Sequence, residues 1–134
     1  MKHDALTEKL IGNFYALYND LGHGFLESVY QKGYALLLVE QGIRYQEQVP
    51  ICISYHGHNL GDFRADLVVE SIVLVEFKAV RALEQAHERQ TFNYLKASDI
   101  EVGLLFNFGP RAQFRRLLLD NDRKFQRAAA AGQS

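Results

Sequence analysis

The stretch "IVLVEFKAV", residues 72–80, restricts the fold more than any other part of the chain. Apolar side chains occupy both faces of this run, which is typical of a central strand covered on both sides. Glu76 and Lys78 nevertheless lie within it, two residues apart and therefore on one face. Charges in such a strand are costly unless they are paired, hydrogen-bonded or bound to a metal. An ion pair at a solvated edge is the alternative, but the apolar neighbours favour a functional site.

Asp66 lies in the preceding predicted strand, 60–69, and the register of the hairpin decides whether it meets Glu76. A three-residue loop at 70–72 would pair 66 with 76 and place both carboxylates side by side, with the two Cβ atoms about 5 Å apart. A two-residue turn would oppose Asp66 to Val75 and separate the carboxylates. Two adjacent carboxylates repel each other, and a divalent cation keeps both ionised. Oxygen ligands of this kind suit Mg²⁺ or Mn²⁺.

Two helices are predicted before the strands, at 4–20 and 25–40, from apolar residues at helical spacing. We interpret the core face of the second helix as Leu26, Val29, Gly33, Leu36 and Leu37. From Arg44 the period changes to two, which predicts a half-buried strand, and Pro50 indicates that it lies at an edge or contains a bulge. "HGHN" is a turn.

The remaining elements complete an α/β fold. A helix is predicted at 84–97 and a strand at 101–108, whereas "AQFRRLLL" could be either type. This order predicts a three-stranded antiparallel meander plus a parallel strand after a crossover helix, in a mixed β-sheet flanked by helices. We place one domain at 1–120 and a frayed or disordered C-terminal tail at 121–134.

The bulk composition excludes several classes of protein. The formal net charge of −1 provides no overall attraction to nucleic acid, so such contacts require local patches. The single cysteine excludes an internal disulfide framework, and no stretch resembles a signal peptide or a membrane span. A cytoplasmic protein with no membrane association is expected. Cys52 itself is interpreted as a small core residue rather than a nucleophile.

Further site candidates are predicted on the helices and near the C-terminus. Glu27 lies in "GFLESVY", in the first turn of the second helix, where the helix dipole alone favours an acid. Gln90 and Tyr94 are four residues apart and share one helix face. A cluster of arginines could contact phosphates, or it could be a solvated face balanced by nearby aspartates. Its members are Arg111, Arg115 and Arg116, followed by Arg123, Lys124 and Arg127.

Five ordered segments resemble the GxxExxY protein family. "GFLESVY" matches the GxxExxY signature, and "FRADLVVE", "VEFKAV", "QTFNYLKAS" and "VGLLFNFG" follow in the family's order over about residues 5–119. That family is similar to the PD-(D/E)XK nuclease superfamily, which implies a restriction-endonuclease-like core. Two positions depart from the pattern. "GHG" replaces the frequent Gly-Pro-Gly turn, and Ala65 stands where a proline often precedes the aspartate.

The resemblance also implies roles for the candidate residues. Asp66 would be the motif aspartate, Glu76 and Lys78 the E-x-K pair, and Glu27 the acid from the preceding helix. Gln90 and Tyr94 resemble the Q-x-x-x-Y element of RecB-like nucleases.

These roles imply a mechanism for metal-dependent cleavage of DNA or RNA. Asp66, Glu76 and the carbonyl of Phe77 would hold Mg²⁺ or Mn²⁺, and Glu27 would assist through water. Lys78 would position the nucleophile, while Gln90 would hold Lys78 or the substrate phosphate. The alternative is a catalytically inactive module on the same fold that binds nucleic acid or a partner protein. A domain this small could need a homo-oligomer or a partner protein for specificity.

Overall fold

The computed structural model describes residues 2–124 of the chain. Its elements follow the predicted order, and most boundaries agree within two residues. The helices are α1 (Asp4–Leu21), α2 (Glu27–Glu40) and α3 (Gln85–Lys96), with a short 3₁₀ turn at Asn121–Arg123. The strands are β1 (Tyr45–Tyr55), β2 (His58–Val69), β3 (Val73–Lys78), β4 (Val102–Phe108) and β5 (Ala112–Leu118).

The five strands form one mixed sheet in the order β1-β2-β3-β4-β5. β1, β2 and β3 are an antiparallel meander, and β4 runs parallel to β3 after the crossover through α3. The predicted fold class is therefore confirmed. "AQFRRLLL", whose type the sequence left open, contains the edge strand β5, antiparallel to β4. β1 is the opposite edge, which explains how the strand tolerates Pro50.

Hydrophobic cores cover both faces of the sheet, so β3 is central, as its apolar run predicts. Under α1 and α2, Phe14 stacks on Phe106 with ring centroids 4.6 Å apart, and Tyr30 stacks on Phe108 at 4.2 Å. The smaller core under α3 includes Leu74 of β3. Glu76 is thus enclosed in the middle layer of an α/β/α arrangement.

The predicted core face of α2 is confirmed at Leu37, which packs against the core, and is wrong at Leu26, Val29 and Leu36. Leu26 is 76% exposed and Leu36 is 59% exposed, whereas Tyr30 and Tyr34 are fully buried. Each tyrosine hydroxyl donates a 2.7 Å hydrogen bond to a backbone carbonyl, of Gly22 and Leu10 respectively. Because these bonds satisfy the hydroxyl groups, the large aromatic rings are buried at little polar cost.

The folded chain extends beyond residue 120. Lys124 is buried, and its ammonium group donates hydrogen bonds to the carbonyls of Ser98 and Ile100 at 3.0 and 2.7 Å. Residues 121–124, which the sequence analysis assigned to a frayed tail, therefore pack against the loop after α3. The rest of that predicted tail, 125–134, lies outside the described residues. Over 2–124, no helix combines the length and apolar character that crossing a membrane requires.

Candidate active site

The β2–β3 hairpin has the register that brings the two carboxylates together. Val69 pairs with Val73, so the loop contains three residues, and pairing continues to Leu67 opposite Val75. Glu70 and Ser71 in the loop have φ values of 51° and 60°, the left-handed conformation that closes a tight connection. The next step of this register places Asp66 beside Glu76. The two-residue turn that would separate them is excluded.

Each carboxylate accepts a hydrogen bond from the backbone of the other strand. The Asp66 amide donates to Glu76 Oε2 at 2.6 Å, and the Phe77 amide donates to Asp66 Oδ2 at 2.8 Å. Side-chain oxygens thus continue the connection between β2 and β3 where the regular ladder ends. The second oxygen of each carboxylate is not used in this exchange. The pair is therefore positioned by the backbone itself.

The electrostatics of the pair show an excess of negative charge. Glu76 is only 4% exposed. Burial, and then the negative charge of Asp66, raise the pKa of Glu76 to about 8, against the opposing effects of the Asp66 backbone hydrogen bond and the Lys78 charge. Without another cation, the site reduces its charge by holding a proton. The oxygen donors and this unbalanced charge fit a hard divalent cation such as Mg²⁺ or Mn²⁺.

Lys78 is half-buried at the end of β3, and the chain that follows it is fixed by Asn107. Asn107 is fully buried on β4, opposite Lys78 in the register. Its Oδ1 accepts from the Val80 amide and its Nδ2 donates to the Val80 carbonyl, both at 2.9 Å. The sequence analysis missed this residue, although a polar side chain inside "VGLLFNFG" gives the same signal as Glu76 inside β3.

Replacing Asn107 with Leu is expected to destabilise the fold by about 1–3 kcal/mol, because the Val80 amide and carbonyl lose their side-chain partner. The free energy of unfolding from urea titrations measures this loss. Asn19→Leu, at an exposed position of α1, is the matched control and should change stability little. Equal stabilities of the two variants would contradict a structural role for Asn107.

Glu27 is exposed in the first turn of α2. Gln31, one turn further along the same face, donates to the Asp66 carbonyl at 3.4 Å, so this face of α2 approaches β2 at the candidate site. Within residues 2–124, however, no three His, Cys, Asp or Glu side chains form a group that could hold a metal ion. The structure therefore does not join Glu27 to the Asp66–Glu76 pair in a preformed triad, and its metal role stays a prediction.

β2 changes face at Asp66, which the sequence analysis did not predict. Ala65 and Val68 both pack in the core under α3, although residues three apart on a regular strand point to opposite faces. On the neighbouring strand β1, Gln48 has a φ of 50°, and its side-chain Nε2 donates a hydrogen bond to Gln31 Oε1 at 3.4 Å. Strained backbone of this kind is frequent at functional sites. A single Gln in an alternating strand gives no sequence signal for it.

Gln90 and Tyr94 lie beside the carboxylate pair, on the α3 side of the sheet. Tyr94 is buried, and its pKa is raised by burial and then by the charges of Glu76 and Asp66, while a hydrogen bond with the Gln90 side chain opposes the shift. Both carboxylates are thus close enough to act on the Tyr94 hydroxyl. Gln90 is exposed, one helical turn before Tyr94.

The predicted arginine cluster is not brought together. Arg115 and Arg116 are consecutive on β5 and point to opposite faces. Arg115 Nε lies 3.7 Å from Glu88 on α3, and Arg116 Nη2 lies 3.5 Å from Asp4 on α1. Arg111 is exposed in the turn before β5. Substrate binding by these three residues stays a prediction.

Two other sequence interpretations concern residues outside the pair. Cys52 is exposed on the edge strand β1, so its interpretation as a core residue is wrong. The reason is the alternation of β1, in which Ile51 and Ile53 take the inward positions. The turn predicted at "HGHN" is confirmed at His56 and Gly57, which have left-handed φ values of 50° and 76°, whereas His58 and Asn59 already belong to β2.

The mixed sheet, with two carboxylates and a lysine where two of its strands diverge, defines a nuclease-like α/β protein. The family model of the PD-(D/E)XK nuclease superfamily matches residues 4–117. The chain therefore belongs to the PD-(D/E)XK nuclease superfamily, whose nucleases generally depend on divalent metal ions. No match was found among curated protein sequences.

Two solved structures are similar to the chain, and the first of them supports the fold. The crystal structure of SSO0001 superimposes with a TM-score of 0.55 at 20% identity, covering 98% of this chain and 67% of that one. The alkaline exonuclease LHK-Exo from Laribacter hongkongensis gives a TM-score of 0.40 at 12% identity, covering 73% of this chain and 60% of that one. At such identities the likeness to SSO0001 shows the fold alone.

Proposed function

We propose that the chain is a metal-dependent nuclease that hydrolyses phosphodiester bonds of DNA or RNA. The observation that carries this proposal is the reciprocal hydrogen bonding of Asp66 and Glu76, which positions two repelling carboxylates side by side in a mostly buried place. A protein would not benefit from this arrangement for stability alone, because a hydrophobic pair would pack at lower cost. A divalent cation offsets the repulsion.

Asp66, Glu76 and the Phe77 carbonyl are the proposed ligands of Mg²⁺ or Mn²⁺, with Glu27 acting through water. When bound, the cation supplies Lewis acidity toward the phosphate and toward the attacking water. Lys78 orients the nucleophile and stabilises the negative charge that develops on the phosphate. Gln90 positions Lys78 or the substrate phosphate, and Tyr94 packs beneath them. Membership of the GxxExxY family, a cytoplasmic location, and assembly with a second copy or a partner protein stay predictions.

A cleavage assay with labelled single- and double-stranded DNA and RNA, in Mg²⁺, Mn²⁺ or EDTA, tests this proposal. The wild type should cleave at least one substrate only when metal is present. Lys78→Met keeps both carboxylates, so it should retain the metal-induced rise in melting temperature while losing cleavage by at least ~100-fold.

The second candidate function is a binding module without catalysis. It is favoured by the exposed position of Glu27, which leaves only two acids at the centre of the site. Nucleic-acid binding by the wild type, with no cleavage under any metal condition, would support this candidate and contradict the nuclease.

A further inference from the structure

A cleft of about 510 Å³ lies between α3 and the outer parts of β1 and β2, next to the carboxylate pair. Its volume is in the range of pockets that hold small molecules, ~300–1,000 Å³. Gln90 and Asn93 line the cleft from α3 and are exposed to solvent. A cleft of this volume can accept a small group such as an unpaired base.

The cleft contains an aromatic platform. Phe63 of β2 and Tyr94 of α3 both line it, with ring centroids 5.9 Å apart. Phe63 is 44% exposed, so a large part of its ring remains accessible beside Tyr94. The ring lies over Gly61, where an added Cβ would stand 3.1 Å from Phe63 Cε2. The ring thus packs over bare backbone at Gly61 and keeps part of its surface exposed, as a base-stacking surface requires.

The charges of the cleft are of one sign. Arg89 and Lys96 line it, both exposed on α3, and within residues 2–124 no acidic residue lines it. Arg89, Asn93 and Lys96 are spaced by four and three residues, so they follow one face of the helix. In a chain with a formal net charge of −1, this local pair of cations is suited to a phosphate backbone.

The cleft also leads to the candidate active site. Tyr94 belongs to both, because its ring lines the cleft while its hydroxyl lies within the electrostatic reach of Asp66 and Glu76. Asp66 is three residues after Phe63 on β2. A base stacked on Phe63 would therefore lie near the two carboxylates.

We propose that this cleft holds unpaired nucleotides, with a base stacked on Phe63 and the phosphates contacted by Arg89 and Lys96, so that the substrate is single-stranded nucleic acid. This inference rests on the proposed function for the reaction, but the binding that it describes does not require cleavage. The exposed amides of Gln90 and Asn93 can hydrogen-bond to base edges or to sugar hydroxyls.

Binding is measured by fluorescence anisotropy in EDTA, where cleavage cannot occur, with labelled single-stranded DNA, single-stranded RNA and the duplex of the same sequence. The wild type should bind the single strands more tightly than the duplex. Phe63→Ala should weaken single-strand binding by about 5- to 150-fold, the effect of losing one stacked base. Tyr55→Ala is the matched control, since Tyr55 is 53% exposed on β1 but does not line the cleft. It should bind as the wild type does.

A second variant tests the same contact without removing the ring. The chain has no tryptophan, so Phe63→Trp places the single tryptophan of the variant in the cleft, where its fluorescence can be excited selectively. Its fluorescence should be quenched by single strands and not by the duplex. Comparing DNA with RNA shows whether the sugar hydroxyl contributes.

The outcomes separate this inference from the proposed function. Equal affinity for single strands and duplex, or equal effects of Phe63→Ala and Tyr55→Ala, would overturn the cleft assignment even if the protein cleaves nucleic acid. If the protein binds single strands through stacking but cleaves no substrate, the assignment of the cleft is supported and the proposed nuclease activity is contradicted.

Discussion

Replacing Glu76 with Gln is expected to reduce metal-dependent cleavage by at least ~100-fold. The same variant should lose the stabilisation of the fold by divalent cations. Both effects have one cause, because the amide lacks the charge that holds the cation and leaves Asp66 as the only anion of the pair. For the wild type, ligand linkage gives a stabilisation of about 2.7 kcal/mol at a hundredfold excess of metal over its Kd. Thermal melts with and without Mg²⁺ or Mn²⁺, beside cleavage assays, measure both.

Glu40→Gln is the matched control, because Glu40 is an exposed acid at the end of α2. This variant should keep both the metal response and the cleavage of the wild type. A wild type without any metal-dependent shift, combined with strong destabilisation by Glu76→Gln, would identify the acids as structural partners. The proposed nuclease function would then be contradicted, and the binding module without catalysis would be the supported function.

Metal-free wild type is expected to lose stability as the pH rises from about 4.5 to about 8. The pKa of Glu76 is about 8 in the folded chain and has its ordinary value of 4.5 in the unfolded chain. Between these values the folded chain binds more protons than the unfolded chain, so the free energy of unfolding falls as the pH rises. The loss is on the order of a few kcal/mol and ends above the folded pKa.

Urea titrations at several pH values, in EDTA and in Mg²⁺, measure this dependence. Glu76→Gln removes the titrating group, so its metal-free stability should vary less over the same window and exceed that of the wild type at pH 8. Saturating Mg²⁺ should restore the stability of the wild type at pH 8, because the bound cation replaces the proton as the partner of the carboxylates. Glu70 and Glu101 have pKa values below the ordinary value for glutamate. Their contribution to the free energy of unfolding is lost only when the pH falls below that ordinary value, so it does not change over the window of Glu76. Parallel pH profiles for the two proteins would contradict the prediction.

The centre of the site was predictable from the sequence because it depends on local patterns. An apolar run identified β3 as the central strand, and the position of Glu76 within it indicated a site. The sequence limited the β2–β3 loop to two or three residues, and the structure has the three-residue loop at 70–72, which brings Asp66 to Glu76. Side-chain alternation has a period of two, so a register known at one pair is known at the next.

The surroundings of the site were not predictable in the same way, because they depend on contacts between distant parts of the chain. The turn of α2 that buries Tyr30 and Tyr34 instead of Leu26 and Leu36 requires acceptor carbonyls from outside that helix. Asn107 could have been noticed as polar, but its partner Val80 lies 27 residues away.

By itself, the sequence determined the order of the elements and the central strand with Glu76 inside it, since each follows from spacing along a short segment, whereas the hairpin register that pairs Asp66 with Glu76 was chosen between two alternatives by the structure. Only the tertiary structure decided which side of α2 faces the sheet, where β2 changes face, and that Phe63 and α3 enclose a cleft beside the pair. Burial and electrostatic coupling arise when separate segments pack together. No local pattern contains that information.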